Sequence, residues 1–188
     1  MTSDKLVIGL AGMPGAGKSA VVKVAEETGY AIVVMGDIVR EEVEKRSMKP
    51  TPKNVGKIML ELRRMEGEAV IARRCVPKIE KAMEQKVLVD GVRSLSEVEE
   101  FEKHFLRFSL IAVHASPETR FERLYRRRRS DDPRNWEISH ERDMRELTVG
   151  LGNAVAMAEY IIVNEGSLKV AKDKIREVLR RVEERWMK

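Results

Sequence analysis

At 188 residues the chain suits one domain with a substantial core, and 36% charged against 5% aromatic residues means that aliphatic side chains must build it. No apolar run approaches the ~20 residues that span a bilayer, no secretory h-region precedes the first apolar segment, and the single cysteine, Cys75, excludes an internal disulfide; a cytoplasmic protein is expected. The net charge of +5 suits nucleic acid or a polyanionic small molecule, and the absence of any helix-turn-helix, zinc-finger or RNA-binding signature argues against the first.

The first apolar run, Leu6–Ala11, reads as a strand buried on both faces. It leads into Gly12, Met13, Pro14, Gly15, Ala16, Gly17, Lys18 and Ser19, which fit the phosphate-loop pattern G-x-x-x-x-G-K-[ST]. Glycines there let backbone N–H groups turn towards a polyphosphate, Lys18 neutralises its charge, and the Ser19 hydroxyl is suited to Mg²⁺. Ala20, Val21, Val24 and Ala25 continue at helical spacing up to Gly29, so strand, loop and helix stand in the order the motif needs.

A second strand, Ala31–Met35, ends in Gly36 and Asp37, with Asp37 placed as the cap of a helix through Val39 and Val43. Lys49-Pro50-Thr51-Pro52 breaks that helix, Val55 to Met65 form another, and a further one is expected from Gly67 to Gln85, bent or divided at Pro77. Val87–Val89 is the third strand, ending in Asp90-Gly91 with Arg93 close behind, and Ser96 precedes the next helix. After a fourth strand, Phe108–Val113, Ser116-Pro117 signals a helix start. That helix runs into Arg120, Arg123 and Arg126 to Arg129, and Ser130-Asp131-Asp132-Pro133 ends it. Ser139 is placed as the next cap, Tyr160–Val163 is the fifth strand, and Ser167 opens the last helix. Strands alternating with helices imply a three-layer α/β/α fold around a five-stranded parallel sheet.

Ligands of such sheets bind at the carboxyl ends of the strands. Asp90, after an apolar strand, suits a Mg²⁺ ligand, direct or through water. Arg40 and Arg93 can grip a second anion, since a guanidinium fork matches phosphate oxygens. Asn164 can present its amide to a purine edge or sit in an ordinary turn; both readings stand. In the arginine run only two or three side chains can face one site, and Arg123 with Arg127, one turn apart, is the preferred pair. Arg142 and Arg145 are further candidates, whereas Cys75 and the histidines His104, His114 and His140 read as structural.

These motifs, in this order and over nearly the whole chain, resemble the nucleoside monophosphate kinase group of P-loop kinases. Gly36-Asp37-Ile38-Val39-Arg40 is similar to the segment that places an acceptor-binding arginine in adenylate kinases. Asp90-Gly91-Val92-Arg93 is similar to their Asp-Gly-Phe-Pro-Arg motif, one residue shorter and without the proline. Glu122-Arg123-Leu124 with Arg127 resembles the lid entry of adenylate and dephospho-CoA kinases, and Tyr160 to Leu168 their adenine-side loop. In detail the chain looks most like archaeal nucleotide kinases described as adenylate-kinase-related or dephospho-CoA-kinase-like. The resemblance implies one kinase domain over residues 1–188, with a helical acceptor-binding insert over 39–85 and a mobile lid over 120–138.

The expected activity is Mg²⁺-assisted phosphoryl transfer from ATP to a small phosphorylated acceptor of the nucleotide kind. Lys18 and the loop amides hold the donor, Ser19 and Asp90 organise Mg²⁺, Arg40 and Arg93 orient the acceptor, and Arg123 and Arg127 offset the charge of the moving phosphoryl group. A hydroxyl acceptor, with Asp37 as base, is an open alternative. So is an ATPase or switch acting through a protein or RNA partner.

Overall fold

The computed structural model describes residues 3–129 and 131–186. Strand β1 (Ser3–Ala11) is followed by helix α1 (Lys18–Glu27), strand β2 (Ala31–Val34) and helices α2 (Met35–Lys45), α3 (Pro52–Glu66) and α4 (Val70–Lys81). Then come β3 (Lys86–Val92), α5 (Leu95–His104), β4 (Phe105–His114), α6 (Pro117–Arg127), α7 (Trp136–Val149), α8 (Leu151–Ala156), β5 (Tyr160–Val163) and α9 (Leu168–Trp186). The strands form one all-parallel sheet in the order β2-β3-β1-β4-β5.

Alternation along the strands divides the core into two apolar layers. Val7, Val87 and Val89 pack with Ile38, Val43, Ile58, Leu62, Ile79 and Phe101, under α2 to α5. Leu6, Ile8, Leu10 and Leu88 pack on the other face with Val21, Val24, Ile175, Leu179 and Val182, under α1 and α9. The amphipathic faces of the helices thus cover both sides of the sheet, the three-layer α/β/α arrangement that the strand–helix alternation implies. No helix among the described residues is long and apolar enough to cross a membrane.

Several boundaries differ from the sequence reading, each for a local reason. Asp37 does not cap α2; Val34 does, and Asp37 lies in the first turn, where its charge complements the helix dipole. Ser94 rather than Ser96 caps α5, accepting from the Glu97 amide at 3.3 Å. Asn135 rather than Ser139 caps α7, accepting from the Ile138 amide at 3.0 Å, and Ser139 is buried inside the helix. α4 runs through Pro77 without division. The short helix α8 had no counterpart in the sequence reading. Ser116 caps α6 and Thr51 caps α3, each followed by Pro at the first helical position. Ser130, first residue of the expected turn, lies outside the described residues.

β3 extends past its apolar run because it is bulged. Leu10 pairs with Asp90 and Ala11 with Val92, so Gly91 is the extra residue, with φ +106°. A bulge at a strand end re-aims neighbouring side chains, and this one sits beside Asp90, opposite the start of the phosphate loop.

Candidate functional site

The loop from Gly12 to Ser19 leaves β1 at the centre of the sheet and ends in the first turn of α1, whose leading amides have no intrahelical acceptor. Three positions in it require glycine: Gly12, with φ +152° and a Cβ that would lie 2.6 Å from the Val113 carbonyl oxygen, and likewise Gly15 and Gly17. Gly15 has φ +82°, and a Cβ there would lie 2.6 Å from the Arg120 carbonyl oxygen; Gly17 has φ +104°, and a Cβ would lie 2.2 Å from Asn164 Nδ2. The bend is closed by the Ala16 amide donating to the Met13 carbonyl at 3.0 Å. Pro14 offers its carbonyl to Arg120 at 3.2 Å, and Ser19 is exposed at the helix start.

Lys18 Nζ donates to the Gly12 carbonyl at 2.6 Å. Burial holds this ammonium below the usual lysine range; Asp90 and Glu146 oppose that shift, and Arg93 and Arg142 add to it. Burial also pushes the Asp90 carboxyl above the usual aspartate range, against the pull of Lys18 and Arg93. Asp90 Oδ1 is buried and makes no hydrogen bond among the described residues. A carboxylate oxygen held dry beside a phosphate loop suits a hard cation or a water bound to one, which is the donor type Mg²⁺ prefers.

Arg93 leaves the end of β3 into the same cluster. Its amide donates to Glu97 Oε2 at 2.7 Å, its Nη1 lies 3.3 Å from Glu146 Oε2, and Nη1 also contacts Met59 Sδ at 3.7 Å. Glu97 is fully buried and accepts from Arg63 Nη2 at 2.6 Å. Arg40 sits apart from this network, exposed and paired with Asp37 one turn back on α2. Asp37 nonetheless bears on Asp90, whose carboxyl it pushes up.

On the other flank of the loop, Arg123 and Asn164 come together. Asn164 Nδ2 donates to the Ala16 carbonyl at 2.8 Å, while Arg123 donates to the Asn164 carbonyl at 2.9 Å and to Ala16 at 3.4 Å. Arg127 does not join them. It forms a two-point pair with the buried Asp132 at 3.0 and 2.5 Å, which also accepts from the Arg129 amide. Helical spacing put Arg123 and Arg127 on one face, but this acid beyond the helix end holds the second guanidinium at the turn. Arg142 is tied to Asp131, and Arg145 is exposed. Arg120 is buried, donating to the Ala115 carbonyl and, bidentately, to Asp143 at 2.7 and 2.6 Å. It therefore ties the phosphate loop to α7.

Sequence reasoning missed Glu97, Arg63, Asp143 and Glu146. For Glu97 a signal existed: Ser94-x-x-Glu97 is a capping-box spacing. The others are ordinary helix residues at no diagnostic spacing.

The AAA-domain family model matches residues 11–139 of the chain. A UPF0200 protein of Hyperthermus butylicus is 47% identical over 180 residues, covering 96% of this chain and 96% of that protein. Shikimate kinase from Acinetobacter baumannii, in complex with shikimate, superposes with a TM-score of 0.58 at 19% identity, covering 98% of this chain and 96% of that one. A gluconokinase from Sinorhizobium meliloti 1021 gives 0.58 at 15% identity, covering 98% and 97%. The likeness to these structures lies in the fold, an α/β fold of the P-loop kinase type with a five-stranded parallel sheet.

Proposed function

The chain belongs to the AAA-domain and UPF0200 families, and from that premise we propose that it is a cytoplasmic, ATP-dependent kinase that phosphorylates a small phosphorylated acceptor of the nucleotide kind. The observation that carries this reading is the meeting of Lys18, Asp90 and Arg93 where the phosphate loop faces the bulged end of β3. A cation for the donor, a dry carboxylate for a metal and an arginine for a second anion are the parts that phosphoryl transfer uses.

In this reading the loop amides from Gly12 to Ser19 and the Lys18 ammonium hold the ATP phosphates. Asn164 and Arg123 border the base side of the donor. Ser19 and Asp90 would hold Mg²⁺, which would supply positive charge to offset that of the transferred group. Arg93, with Arg40 from α2, orients the acceptor. The bond from the γ-phosphorus to the ADP oxygen breaks as the bond to the acceptor oxygen forms. An acceptor phosphate, with its second pKa of ~6, needs no base. Residues 39–85 act as the acceptor-binding insert and 120–138 as the lid, within which Arg127 sets the turn through Asp132 before any contact with phosphate.

Two measurements test this. Gly15→Ala is expected to weaken ATP binding at least about tenfold by calorimetry, because the added Cβ meets the Arg120 carbonyl at positive φ. Unchanged affinity would show that the loop does not cradle the nucleotide. In a screen with γ-labelled ATP, label is expected on a nucleoside monophosphate or another phosphate ester; label on none, with ATP still hydrolysed, would leave the ATPase or switch reading in its place.

A second acceptor type, a hydroxyl, would use Asp37, which lies exposed in the first turn of α2 beside Arg40. A hydroxyl acceptor, as in dephospho-CoA, would give its proton to Asp37 during attack. If so, Asp37→Asn lowers turnover of that acceptor by about 10²–10⁴-fold with ATP binding unchanged. A near-wild-type rate removes Asp37 as the base.

A further inference from the structure

Helix α7 carries two ion pairs of opposite character, and the transfer chemistry leaves the looser one without a role. Asp143 accepts from both Nη atoms of Arg120 at 2.7 and 2.6 Å, and Arg120 donates in turn to the Pro14 carbonyl of the phosphate loop at 3.2 Å. That pair is fully hydrogen-bonded and ties α7 to the loop. Glu146, three residues further along the helix, faces Arg93 instead.

This second pair is charge without a hydrogen bond. Glu146 Oε2 lies 3.3 Å from Arg93 Nη1, longer than the ~2.7–2.9 Å of a well-made charged pair. That oxygen is buried and makes no hydrogen bond among the described residues, and the Glu146 side chain is only 14% exposed. A carboxylate oxygen withdrawn from water and left without a donor is poorly satisfied, so the charge of Arg93 is what holds it. Arg93 has more freedom. Its amide is anchored to Glu97 at 2.7 Å, but its side chain is 37% exposed and can turn to another anion.

Glu146 also bears on the donor side. Its charge supports the Lys18 ammonium, which burial, Arg93 and Arg142 disfavour. Lys18, Arg93 and Glu146 therefore feel one another's charges. A polyphosphate in the loop brings negative charge to that same lysine, takes over the support that Glu146 gives it, and repels the carboxylate. The helix is tied at Asp143, one turn earlier, whereas Glu146 Oε2 is tied by no hydrogen bond, so the side chain is the part that can yield.

We propose that Glu146 is a positioning residue that acts through Arg93: it occupies the guanidinium in the empty protein and gives it up when donor phosphates fill the loop, so that donor binding opens the acceptor site. The inference rests on the kinase reading for the roles of donor and acceptor, but not for the exchange of partners at Arg93. It fixes a sign. Two polyanions in adjoining sites repel each other, so a site without this exchange has the donor weaken acceptor binding. With the exchange, the donor strengthens it.

The probes are inorganic phosphate, AMP, GMP, CMP, UMP and dephospho-CoA, each titrated by calorimetry with and without a saturating Mg²⁺ complex of a non-hydrolysable ATP analogue. Only binding that Arg93→Gln weakens is counted, which sets aside phosphate bound in the loop. At least one probe is expected to bind the wild-type chain about fivefold or more tightly with the analogue than without it. In Glu146→Gln the same probe is expected to bind the empty protein about as tightly as it binds the analogue-loaded wild type, with no further gain from the analogue. An analogue that weakens or leaves unchanged every Arg93-dependent probe in the wild type overturns the inference, whatever the variant does. So does a gain that survives in Glu146→Gln, and so does the lack of any Arg93-dependent binding. Label transfer from γ-labelled ATP without this coupling overturns the inference and leaves the kinase reading intact. Coupling that Glu146→Gln abolishes, with no probe ever labelled, upholds the exchange at Arg93 and overturns the kinase reading.

Discussion

Lys18→Ala is expected to lower ATP-dependent turnover by about 10²–10³-fold while the protein stays folded. The ammonium is held at the mouth of the loop by a 2.6 Å bond to the Gly12 carbonyl, in surroundings that disfavour its charge. Burial is the main cause, with Arg93 and Arg142 adding repulsion. In the proposed reading the ATP polyphosphate would relieve both, adding to the partial support of Asp90 and Glu146. Removing the side chain removes that attraction and leaves the buried Asp90 carboxyl with Arg93 as its remaining cationic neighbour of the two. Stability has a definite sign in pH. Because the folded state disfavours the charged lysine, the unfolded chain holds more proton as pH climbs towards the ordinary lysine range, and the unliganded protein gains stability there. Lys18→Ala should flatten that gain. Steady-state assay with denaturation followed at several pH values checks both statements, and unaltered ATP turnover in the variant would overturn the assignment of the loop.

The contrast between Lys18 and the arginines shows which parts of the site a sequence can disclose. Lys18 and Asp90 are fixed by the backbone: one follows a glycine turn whose φ values few other residues tolerate, the other ends an apolar strand. Both constraints are local, so both are legible. The five strands are legible for the same reason, since each carries a run of β-branched or aliphatic residues. Arg93, Arg120 and Arg127 differ, because an arginine's role depends on which acid reaches it. Those acids, Glu146, Asp143 and Asp132, come from α7 or the turn before it and sit at no motif spacing from their partners. Arg120 and Arg127 are one helix residue like another in the sequence; in the fold the first is a buried tie and the second sets a turn. The start of α5 and the cap of α7 differ from the sequence expectation for a related reason. Each stretch offers more than one residue able to cap, and the backbone geometry at the helix start decides between them.

That dependence on unseen partners makes Glu97 the most sensitive point outside the phosphate loop. Glu97→Ala is expected to destabilise the fold by about 3–5 kcal/mol and, for a chain of this size, to lower Tm by about 6–20 °C. The carboxylate receives Arg63 Nη2 at 2.6 Å and the Arg93 amide at 2.7 Å, and the two side chains of the ion pair are only 5% and 1% exposed. Arg63 Nε and Nη1 are already buried without a hydrogen bond among the described residues, so the variant would leave a whole guanidinium uncompensated. The pair itself is a different matter. Two charges withdrawn from water are often no better than apolar side chains of similar volume. Arg63→Met combined with Glu97→Leu should therefore recover most of the lost Tm, although each single loss is severe. Function separates from stability at this step. The double variant still lacks the carboxylate that anchors the Arg93 amide, so its acceptor KM should stay raised when its Tm has returned. Thermal denaturation of the two single variants and the double variant decides the energetic claim, since a double variant no more stable than Glu97→Ala would mean that the pair contributes net stability. Acceptor KM restored along with Tm would mean that Glu97 supports the fold but does not position Arg93.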